Sequence, residues 1–322
     1  MTLQALEPAL FTANSSHAPA HVTILMATRN GEKTISEQLD SIAEQTHGDW
    51  SLIVSDDGST DATRDRVAAF AERHRSKRIL RLDGPRQGSA MNFLSLLRAA
   101  GDSPWVAYCD QDDVWLPDRL SRGLNKLEGV RGPALYGART MVTDAQLRPL
   151  RLSPDFSRPK SFGNALVQSV AGGNTMLINR AALDVLQPAS RPVQRLIAHD
   201  WWTYQMITAI GGTVVYDKVP TVLSRQHTNN QIGANDTWRA SLRRVSQLLS
   251  GEFSDWCRIQ TAALHPHRGR MTKDARGKYD ALCAIKDQAL PARMRTFARA
   301  GLYRQTPCGS LALWFAAVLG RL

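Results

Sequence analysis

Three carboxylates occupy four consecutive positions, Asp110, Asp112 and Asp113, directly after the apolar run 104–109. Like charges this close repel one another, so they stay ionised at low cost only where solvent or a cation offsets them. In an extended segment Asp110 and Asp112 point to the same side, about 7 Å apart. This spacing suits a divalent cation shared with an anionic ligand such as a diphosphate. A solvated acidic turn, with Asp113 capping a helix that begins near Pro117, would account for the same residues.

Patterns typical of strands and helices alternate through the first 120 residues. Short apolar runs predict strands at 22–27, 50–54, 79–82 and 104–109, and helical spacing predicts helices at 33–45, 62–73 and 88–99. Strands that alternate with helices of this length form a mostly parallel sheet through right-handed crossovers. The predicted fold class is therefore α/β.

Polar clusters follow three of these strands. Thr28 and Asn30 follow the first strand, Asp56-Asp57 the second, and Asp110 and Asp112 the fourth. Ligands of parallel sheets bind outside the carboxyl ends of the strands. The three clusters therefore predict a single ligand site.

The second half of the chain is less regular. Strands are predicted at 134–139 and 213–216, with a proline-interrupted loop at 144–160 between them. Gly172 and Gly173 either permit close approach of the backbone to a ligand or form a β-bulge. A helix is predicted from about 198 to 210, and a later loop carries Arg225 and His227.

The 322 residues can form one large or two small domains with a sizeable core. The four cysteines are scattered without metal-ligand spacing, which is typical of thiols in a reducing compartment. We expect 1–21 to be a flexible tail rather than a secretory signal, because it lacks a basic start and a continuous apolar stretch. A cytoplasmic location follows, which could be at the inner face of the cytoplasmic membrane.

Positive charge is concentrated in the last part of the chain. From residue 236 onward there are 15 Lys+Arg and 6 Asp+Glu, so this part holds 15 − 6 = +9 of the total +11. No nucleic-acid recognition motif accompanies the charge. The apolar stretch 311–319 is too short to span a bilayer. Peripheral membrane contact through 300–322 is one interpretation, and a helix packed on the domain or on another subunit is the other.

Five motifs, in this order, resemble those of the family 2 glycosyltransferases. They are Ala27-Thr28-Arg29-Asn30-Gly31, Asp56-Asp57-Gly58-Ser59-Thr60-Asp61, 110–120, His199-Asp200 and Arg225-Gln226-His227. The resemblance implies a GT-A fold, which is a Rossmann-like sheet flanked by helices, and inverting sugar transfer. It covers 22 to about 235, with a nucleotide-binding half at 22–120 and an acceptor-binding half at 121–235. Residues 236–322 lie outside the resemblance, and we expect them to form a basic helical C-terminal extension.

The resemblance also implies roles for single residues on the nucleotide side. Asp57 would accept a hydrogen bond from the imide N–H of uracil or thymine, and Thr28 and Asn30 would shape the base and ribose pocket. Asp112 would bind Mg²⁺ or Mn²⁺, with Asp110 at the ribose or the metal and His227 completing the coordination. The metal would stabilise the departing nucleoside diphosphate.

Asp200 would be the base that takes a proton from the acceptor hydroxyl. The alternative is that Asp200 is only the N-cap of a helix at 201–210. His199 stands where many relatives carry an acid, and its partial positive charge would hold the pKa of Asp200 low. The remaining expected donor- or acceptor-binding residues are Gly172, Gly173, Trp115, Trp201 and Arg225.

The forms of these motifs are similar to those of bacterial rhamnosyltransferases. They indicate transfer of L-rhamnose from dTDP-L-rhamnose to a glycan or lipid-linked acceptor in cell-surface polysaccharide synthesis. A UDP-hexose donor is the alternative within this class, and a non-catalytic nucleotide- or glycan-binding module is the alternative outside it. No nucleic-acid partner is expected, and a homo-oligomer is possible.

Overall fold

The computed structural model describes residues 20–226 and 252–322. In the first half, all the predicted strands and helices form within a few residues of their expected bounds. The strands are β1 (Val22–Thr28), β2 (Trp50–Asp56), β3 (Ile79–Asp83) and β4 (Trp105–Cys109), and the helices are α1 (Ile35–Ala43), α2 (Thr63–Arg73) and α3 (Ser89–Ala99).

The remaining elements lie beyond residue 113. The strands are β5 (Val114–Trp115), β6 (Ala134–Ala138), β7 (Met141–Thr143), β8 (Pro149–Leu152), β9 (Leu177–Asn179), β10 (Thr213–Asp217) and β11 (Val222–Arg225). The helices are α4 (Arg119–Leu127), α5 (Phe162–Ala165), α6 (Arg180–Ser190), α7 (His199–Ala209), α8 (Glu252–Leu264), α9 (Lys273–Ile285), α10 (Leu290–Ala300) and α11 (Pro307–Val318). Short 3-10 turns occur at Gly173–Thr175 and His265–Arg270.

Seven strands form the main sheet, in the order β10-β6-β9-β4-β1-β2-β3. Neighbouring strands are parallel except at β9, which runs antiparallel to both β4 and β6. The mostly parallel α/β fold predicted from the alternation of elements is therefore confirmed.

A smaller sheet of four strands, in the order β5-β11-β7-β8, was not predicted. Its strands span only two to four residues each. Two of them, β7 and β8, flank or interrupt the segment 144–160 that was expected to be a loop. We call residues 110–113 the acidic tetrad. Because β5 directly follows the tetrad, the smaller sheet holds the C-terminal end of the tetrad in place.

Helices cover both faces of the main sheet. Side chains of α1, α2 and α4 share one apolar cluster with Ile24, Met26 and Leu52 of the strands. Those of α3, α6 and α7 share a second cluster with Leu25 and Ile53, whose side chains point to the opposite face.

The C-terminal helices α8 to α11 belong to this second cluster. Phe253, Leu264, Tyr279, Phe297 and Leu313 are all buried in it together with residues of α5 and α7. The basic C-terminal part therefore shares its core with the sheet domain. No helix in the described ranges is long and apolar enough to cross a membrane.

A buried ion pair joins the edge strand β10 to α4. Arg122 donates from Nε to Asp217 Oδ2 at 2.5 Å and from Nη2 to Oδ1 at 3.2 Å, and the Tyr136 hydroxyl donates to the same carboxylate at 3.3 Å. Burial opposes ionisation of Asp217, but the bonds from Arg122 outweigh it and lower its pKa. The carboxylate therefore binds its proton more weakly in the folded state than in the unfolded state.

We predict that Asp217→Ala lowers the free energy of unfolding by about 3 kcal/mol, because it leaves the Arg122 guanidinium partly buried without its partner. Because the folded pKa is depressed, the contribution of Asp217 is present above its unfolded pKa and lost as pH falls through the folded value. Urea denaturation at neutral and acidic pH measures both effects. Asp184→Ala, which breaks the exposed pair with Arg180, is the control and should cost less than about 1 kcal/mol. Equal losses in the two variants would contradict the prediction.

Candidate functional site

The strand register brings the three predicted polar clusters to one edge of the sheet. Thr28 lies opposite Asp56 in the β1–β2 pair, and Met26 lies opposite Cys109 in the β1–β4 pair. Asp110 therefore leaves β4 beside the end of β1, where the chain continues toward Asn30. The carboxyl ends of these strands form one site edge, as the sequence predicted.

Asp56 organises the end of β2. Its Oδ1 accepts hydrogen bonds from the backbone N–H groups of Gly58 and Ser59 and from Arg64 Nε, and its Oδ2 accepts from the hydroxyls of Thr28 and Ser59. Burial alone would raise its pKa, but these bonds to the charged form prevail and lower it. Thr28, predicted to shape the base pocket, is buried and donates to this carboxylate.

Asp57 faces the opposite side of β2 and holds the loop before α3. Its Oδ1 accepts from the backbone N–H of Arg86 at 2.6 Å, and its Oδ2 accepts from that of Gly88 at 2.8 Å. The loop approaches closely at Gly84, where an added Cβ would lie 2.9 Å from Asp57 Oδ1. Asp57 is 4% exposed, and since a carboxylate has about four acceptor positions, two remain beyond these backbone bonds.

The loop after β1 is fixed by side chains from two other strand ends. Asn30 adopts a left-handed conformation (φ 49°), and its Oδ1 accepts from the backbone N–H of Thr60 at 2.9 Å. Gln111, inside the tetrad, accepts from the Arg29 N–H and donates to the Arg29 carbonyl, both at 2.9 Å. Gln111 therefore ties the tetrad to the loop after β1, a role that no sequence pattern predicts.

Asp110 and Asp112 are partly exposed, as is Gln111 between them, whereas Asp113 is buried. Burial, followed by the negative charges of Asp113, Asp112 and Asp200, raises the pKa of Asp110 well above its ordinary value. Four carboxylates therefore lie close enough to act on one another. Carboxylate oxygens are the ligand type that a hard divalent cation takes, and a cation bound beside them would relieve the repulsion.

Arg119 is the buried positive charge next to these carboxylates. It is 1% exposed and donates to the carbonyl oxygens of Tyr108, Asn174 and Met176 at 2.9–3.2 Å. Its guanidinium lies 3.6 Å from the ring centre of Trp115. Burial lowers its pKa to about 10, and its charge lowers the pKa of Asp110. Sequence reasoning missed this residue, although it lies within the motif 110–120.

Asp113 does not cap α4, as the sequence suggested it would. Asp118 is the cap residue of that helix. Asp113 is instead buried, accepts from the side-chain amide of Asn174, and accepts from the backbone N–H of Arg225 at 3.1 Å. Burial and then Asp112 raise its pKa to about 7. Because β5 turns inward to pair with β11, Asp113 joins the smaller sheet to the turn at Gly173–Thr175.

Arg225 is also buried, which weighs against its expected role at the diphosphate. Its Nε donates to the Asp112 carbonyl at 2.9 Å, its Nη1 donates to the Ala145 carbonyl at 2.6 Å, and its Nη2 pairs with Glu37. Burial lowers its pKa. The guanidinium therefore positions the backbone of Asp112, the predicted metal ligand.

Asp200 lies in the first turn of α7 and faces the site edge. Its Oδ1 accepts from the Trp201 N–H at 2.6 Å, and the Gly173 N–H also donates to the carboxylate. Burial raises its pKa to about 6 against these bonds. The negative charge of Asp200 in turn raises the pKa of Asp110, so the two groups share one site.

The prediction that His199 holds the pKa of Asp200 low is wrong. The imidazole is stacked on Phe93 with ring centres 3.7 Å apart and meets Tyr108 edge-on at 5.0 Å. Burial between these rings lowers its pKa to about 3, so it is neutral at physiological pH. It therefore supplies no positive charge to hold the pKa of Asp200 low.

Trp115 and Trp201 do not present a ring face for a sugar, contrary to expectation. They are 2% and 6% exposed, and the Trp201 indole donates to the Ala165 carbonyl at 2.6 Å. Trp115 lies under Arg119 between β5 and α4. Both rings are core residues because the strand and helix that carry them turn these positions inward.

The chain matches a known protein family. The family model described as "Glycosyl transferase family 2" matches residues 23–185, which is half of the chain. The chain belongs to glycosyl transferase family 2. Its match to the dTDP-rhamnosyl transferase RfbG of Shigella flexneri is 29% identical and covers 68% of this chain and 78% of the relative.

One further relative and one solved structure are similar to this family 2 glycosyltransferase. The UDP-Glc:alpha-D-GlcNAc-diphosphoundecaprenol beta-1,3-glucosyltransferase WfgD of Escherichia coli is 24% identical over 51% of this chain and 62% of the relative. The crystal structure of S. aureus TarS 1-349 in complex with UDP-GlcNAc has a TM-score of 0.53 at 15% identity, covering 88% of this chain and 93% of that one. The structural likeness confirms the GT-A fold.

The structure describes two of the three predicted metal ligands of this glycosyltransferase, Asp110 and Asp112. Among residues 20–226 and 252–322, no three His, Cys, Asp or Glu side chains converge on a point that could hold a metal ion. His227, the predicted third ligand, lies outside the described residues. Asp110 and Asp112 remain as the described candidates.

A cavity of about 300 Å³ lies at the ends of β2 and β3, on the face covered by α2. Thr28 is the predicted site residue on its wall, together with Asp56, Arg64, Arg81 and neighbouring residues. Neither Asp57 nor the tetrad borders it. The cavity therefore adjoins the predicted base pocket without coinciding with it.

Gly173 is needed where the turn passes His199. An added Cβ would lie 2.9 Å from His199 Cε1 and 3.5 Å from Asp200 Cβ. The imidazole has little room to move, since it is held between Phe93 and Tyr108.

We predict that Gly173→Ala lowers kcat at least about tenfold, because displacing His199 and the Gly173 N–H moves the Asp200 carboxylate. Initial rates of sugar transfer measure this effect. Gly277→Ala is the matched control, because that glycine lies in α9 with no atom near its added Cβ, and it should leave kcat unchanged. Wild-type kcat in Gly173→Ala would mean that the turn does not position Asp200.

Proposed function

We propose that this protein transfers L-rhamnose from dTDP-L-rhamnose, with inversion, to a glycan or lipid-linked acceptor in cell-surface polysaccharide synthesis. The match to RfbG, which is named a dTDP-rhamnosyl transferase, supports the donor. The observation that carries the reaction is Asp200: a carboxylate with a pKa raised to about 6, held by backbone N–H groups beside the acidic edge of the sheet.

The proposed reaction is a single displacement. Asp200 takes the proton of the acceptor hydroxyl, whose oxygen attacks the anomeric carbon of the donor. A bond forms between these two atoms as the bond from the anomeric carbon to the diphosphate breaks, and the nucleoside diphosphate leaves from the opposite face. A base with a pKa near 6 is mostly ionised at neutral pH yet basic enough to accept this proton.

Asp57 would orient the base of the nucleotide. It lies at the end of β2 with acceptor capacity beyond its two backbone bonds. Thymine and uracil both carry an imide N–H, so this contact selects pyrimidine nucleotides without choosing between dTDP and UDP. A UDP-hexose donor is therefore the second candidate, supported by the similarity to WfgD, which is named for UDP-Glc.

Asp112 and Asp110 would hold Mg²⁺ or Mn²⁺, with His227 as the further expected ligand. When bound, the cation would supply Lewis-acid stabilisation of charge on the leaving diphosphate. Arg225 would hold the Asp112 backbone in place through its bond to the Asp112 carbonyl.

We predict that Asp200→Asn lowers kcat by about 10²- to 10⁴-fold, because an amide cannot accept the proton. Nucleotide affinity, measured by isothermal titration calorimetry, should stay near wild type. Asp118→Asn is the matched control, since that carboxylate is exposed at the start of α4, makes no cap bond, and should retain activity.

The wild-type pH profile tests the same base independently. Because burial raises the pKa of Asp200 to about 6, the protonated and inactive form dominates below that pH. kcat/KM should therefore fall about tenfold per pH unit below pH 6 and level off above it. A profile that stays flat from pH 5 to pH 7, or near-wild-type turnover in Asp200→Asn, would exclude Asp200 as the base.

A thermal-shift screen of nucleotide sugars identifies the donor. We predict that dTDP-L-rhamnose raises Tm more than UDP-glucose does, and that Mn²⁺ or Mg²⁺ enlarges the shift, because ligands that bind the folded state stabilise it. Asp112→Ala should remove the metal-dependent part of the shift. Asp102→Ala, on an exposed turn, should keep it. A larger shift with UDP-glucose would favour the second candidate, and a shift independent of metal would remove the proposed role of Asp112.

A further inference from the structure

The last helix, α11, exposes an apolar face. Leu311, Trp314, Phe315, Val318 and Leu319 are 42–59% exposed. They recur at intervals of three and four residues, which places them on one side of a helix. We call these five residues the α11 face.

The opposite side of α11 is anchored in the protein. Leu313, Ala316 and Ala317 are buried in the core cluster, and Phe297 of α10 meets the Trp314 ring edge-on at 4.8 Å. Arg293 of α10 donates to the carbonyl groups of Ala317 and Val318 at the end of the helix. The α11 face is thus presented by a fixed helix.

Positive charge surrounds this helix in the sequence. Residues 288–322 contain five arginines and no aspartate or glutamate. Arg295 and Arg299 are exposed on α10, which packs against α11, and Arg321 is exposed just after it. An apolar helix face accompanied by cationic side chains is the pattern of a helix that lies in a membrane interface.

We propose that the α11 face docks this protein on the surface of an anionic phospholipid bilayer. The apolar side chains would enter the boundary between headgroups and acyl chains, and the arginines would remain with the anionic headgroups. Twelve residues of helix extend about 18 Å, well short of the roughly 30 Å hydrocarbon core, so α11 would lie along the surface.

Charge favours a bilayer over a second copy of the chain as the occupant. Self-association through the α11 face would bring two sets of arginines together with no acidic residue of 288–322 to balance them. An anionic bilayer supplies the complementary charge, each arginine near it contributing about 1 kcal/mol.

The docking surface is connected to the helix that carries Asp200. Gln305, just before α11, donates to the Asn164 side-chain oxygen at 3.1 Å, and Tyr204 of α7 donates to the same atom at 3.0 Å. Asn164 of α5 therefore joins the segment that precedes α11 to α7. Docking would hold the site close to a lipid-linked acceptor if the proposed function holds, but the docking itself does not depend on the donor.

Flotation of the full-length protein with vesicles tests the proposal. The protein should float with vesicles of equal parts phosphatidylcholine and phosphatidylglycerol, and much less with phosphatidylcholine alone. Salt at about 1 M shortens the screening length to about 3 Å and should weaken the binding.

The variant Leu311→Gln with Phe315→Gln should lower the partition to anionic vesicles at least about tenfold, because it removes two apolar side chains from the interface. Both residues are more than half exposed, so the folded state should persist, as circular dichroism will check. Leu150→Gln is the matched control, because Leu150 is 58% exposed on β8, and it should bind as wild type. Arg295→Gln with Arg299→Gln should also weaken binding, and Arg66→Gln with Arg131→Gln should not.

Two outcomes would overturn the proposal. One is wild-type protein that does not float with anionic vesicles. The other is a dimer in sedimentation equilibrium that Leu311→Gln with Phe315→Gln converts to monomer, which would make a second copy the occupant. Vesicle binding and nucleotide-induced stabilisation are measured separately, so failure of docking would leave the proposed transferase activity standing.

Discussion

The repulsion among four carboxylates at one edge of the sheet is the constraint to which much of this structure responds. Burial and the charges of Asp112, Asp113 and Asp200 raise the pKa of Asp110, burial and Asp112 raise that of Asp113, and burial raises that of Asp200. Arg119 is placed beneath them, where its charge lowers the pKa of Asp110. Burying a guanidinium is itself unfavourable, and three backbone carbonyl groups offset that cost. Those carbonyls belong to β4 and to the turn after Gly172, so the counter-charge also fixes the two segments that frame the site.

The four residues of the acidic tetrad differ in their contacts. Gln111 and Asp113 turn toward the protein, one tying the loop after β1 and the other tying β11 and Asn174. Asp110, Gln111 and Asp112 are partly exposed, whereas Asp113 is buried. Gln111 and Asp113 therefore support the segments around the site, and ligand binding is the role we propose for Asp110 and Asp112.

The sequence predicted the first four strands and their helices because each is long enough to show its period and ends at a recognisable turn. It also predicted which polar residues meet, since parallel strands end at one edge. It could not predict β5, β7 and β8, because two to four residues show no period. The direction of a side chain at a loop or helix start depends on packing elsewhere. For that reason the sequence predicts ligand or capping roles for four residues that the structure buries: Asp113, Trp115, Trp201 and Arg225.

His199 shows how such an error changes the chemistry. A charged imidazole would have stabilised ionised Asp200 and made it a weaker base. Packed between Phe93 and Tyr108, the ring is neutral, and an ionised group in its place would be costly. Asp200 therefore owes its raised pKa to burial, opposed by the N–H groups of Gly173 and Trp201. Apolar packing raises the pKa of Asp200, and the hydrogen bond from the glycine turn lowers it. The balance of these two effects sets the pKa at about 6.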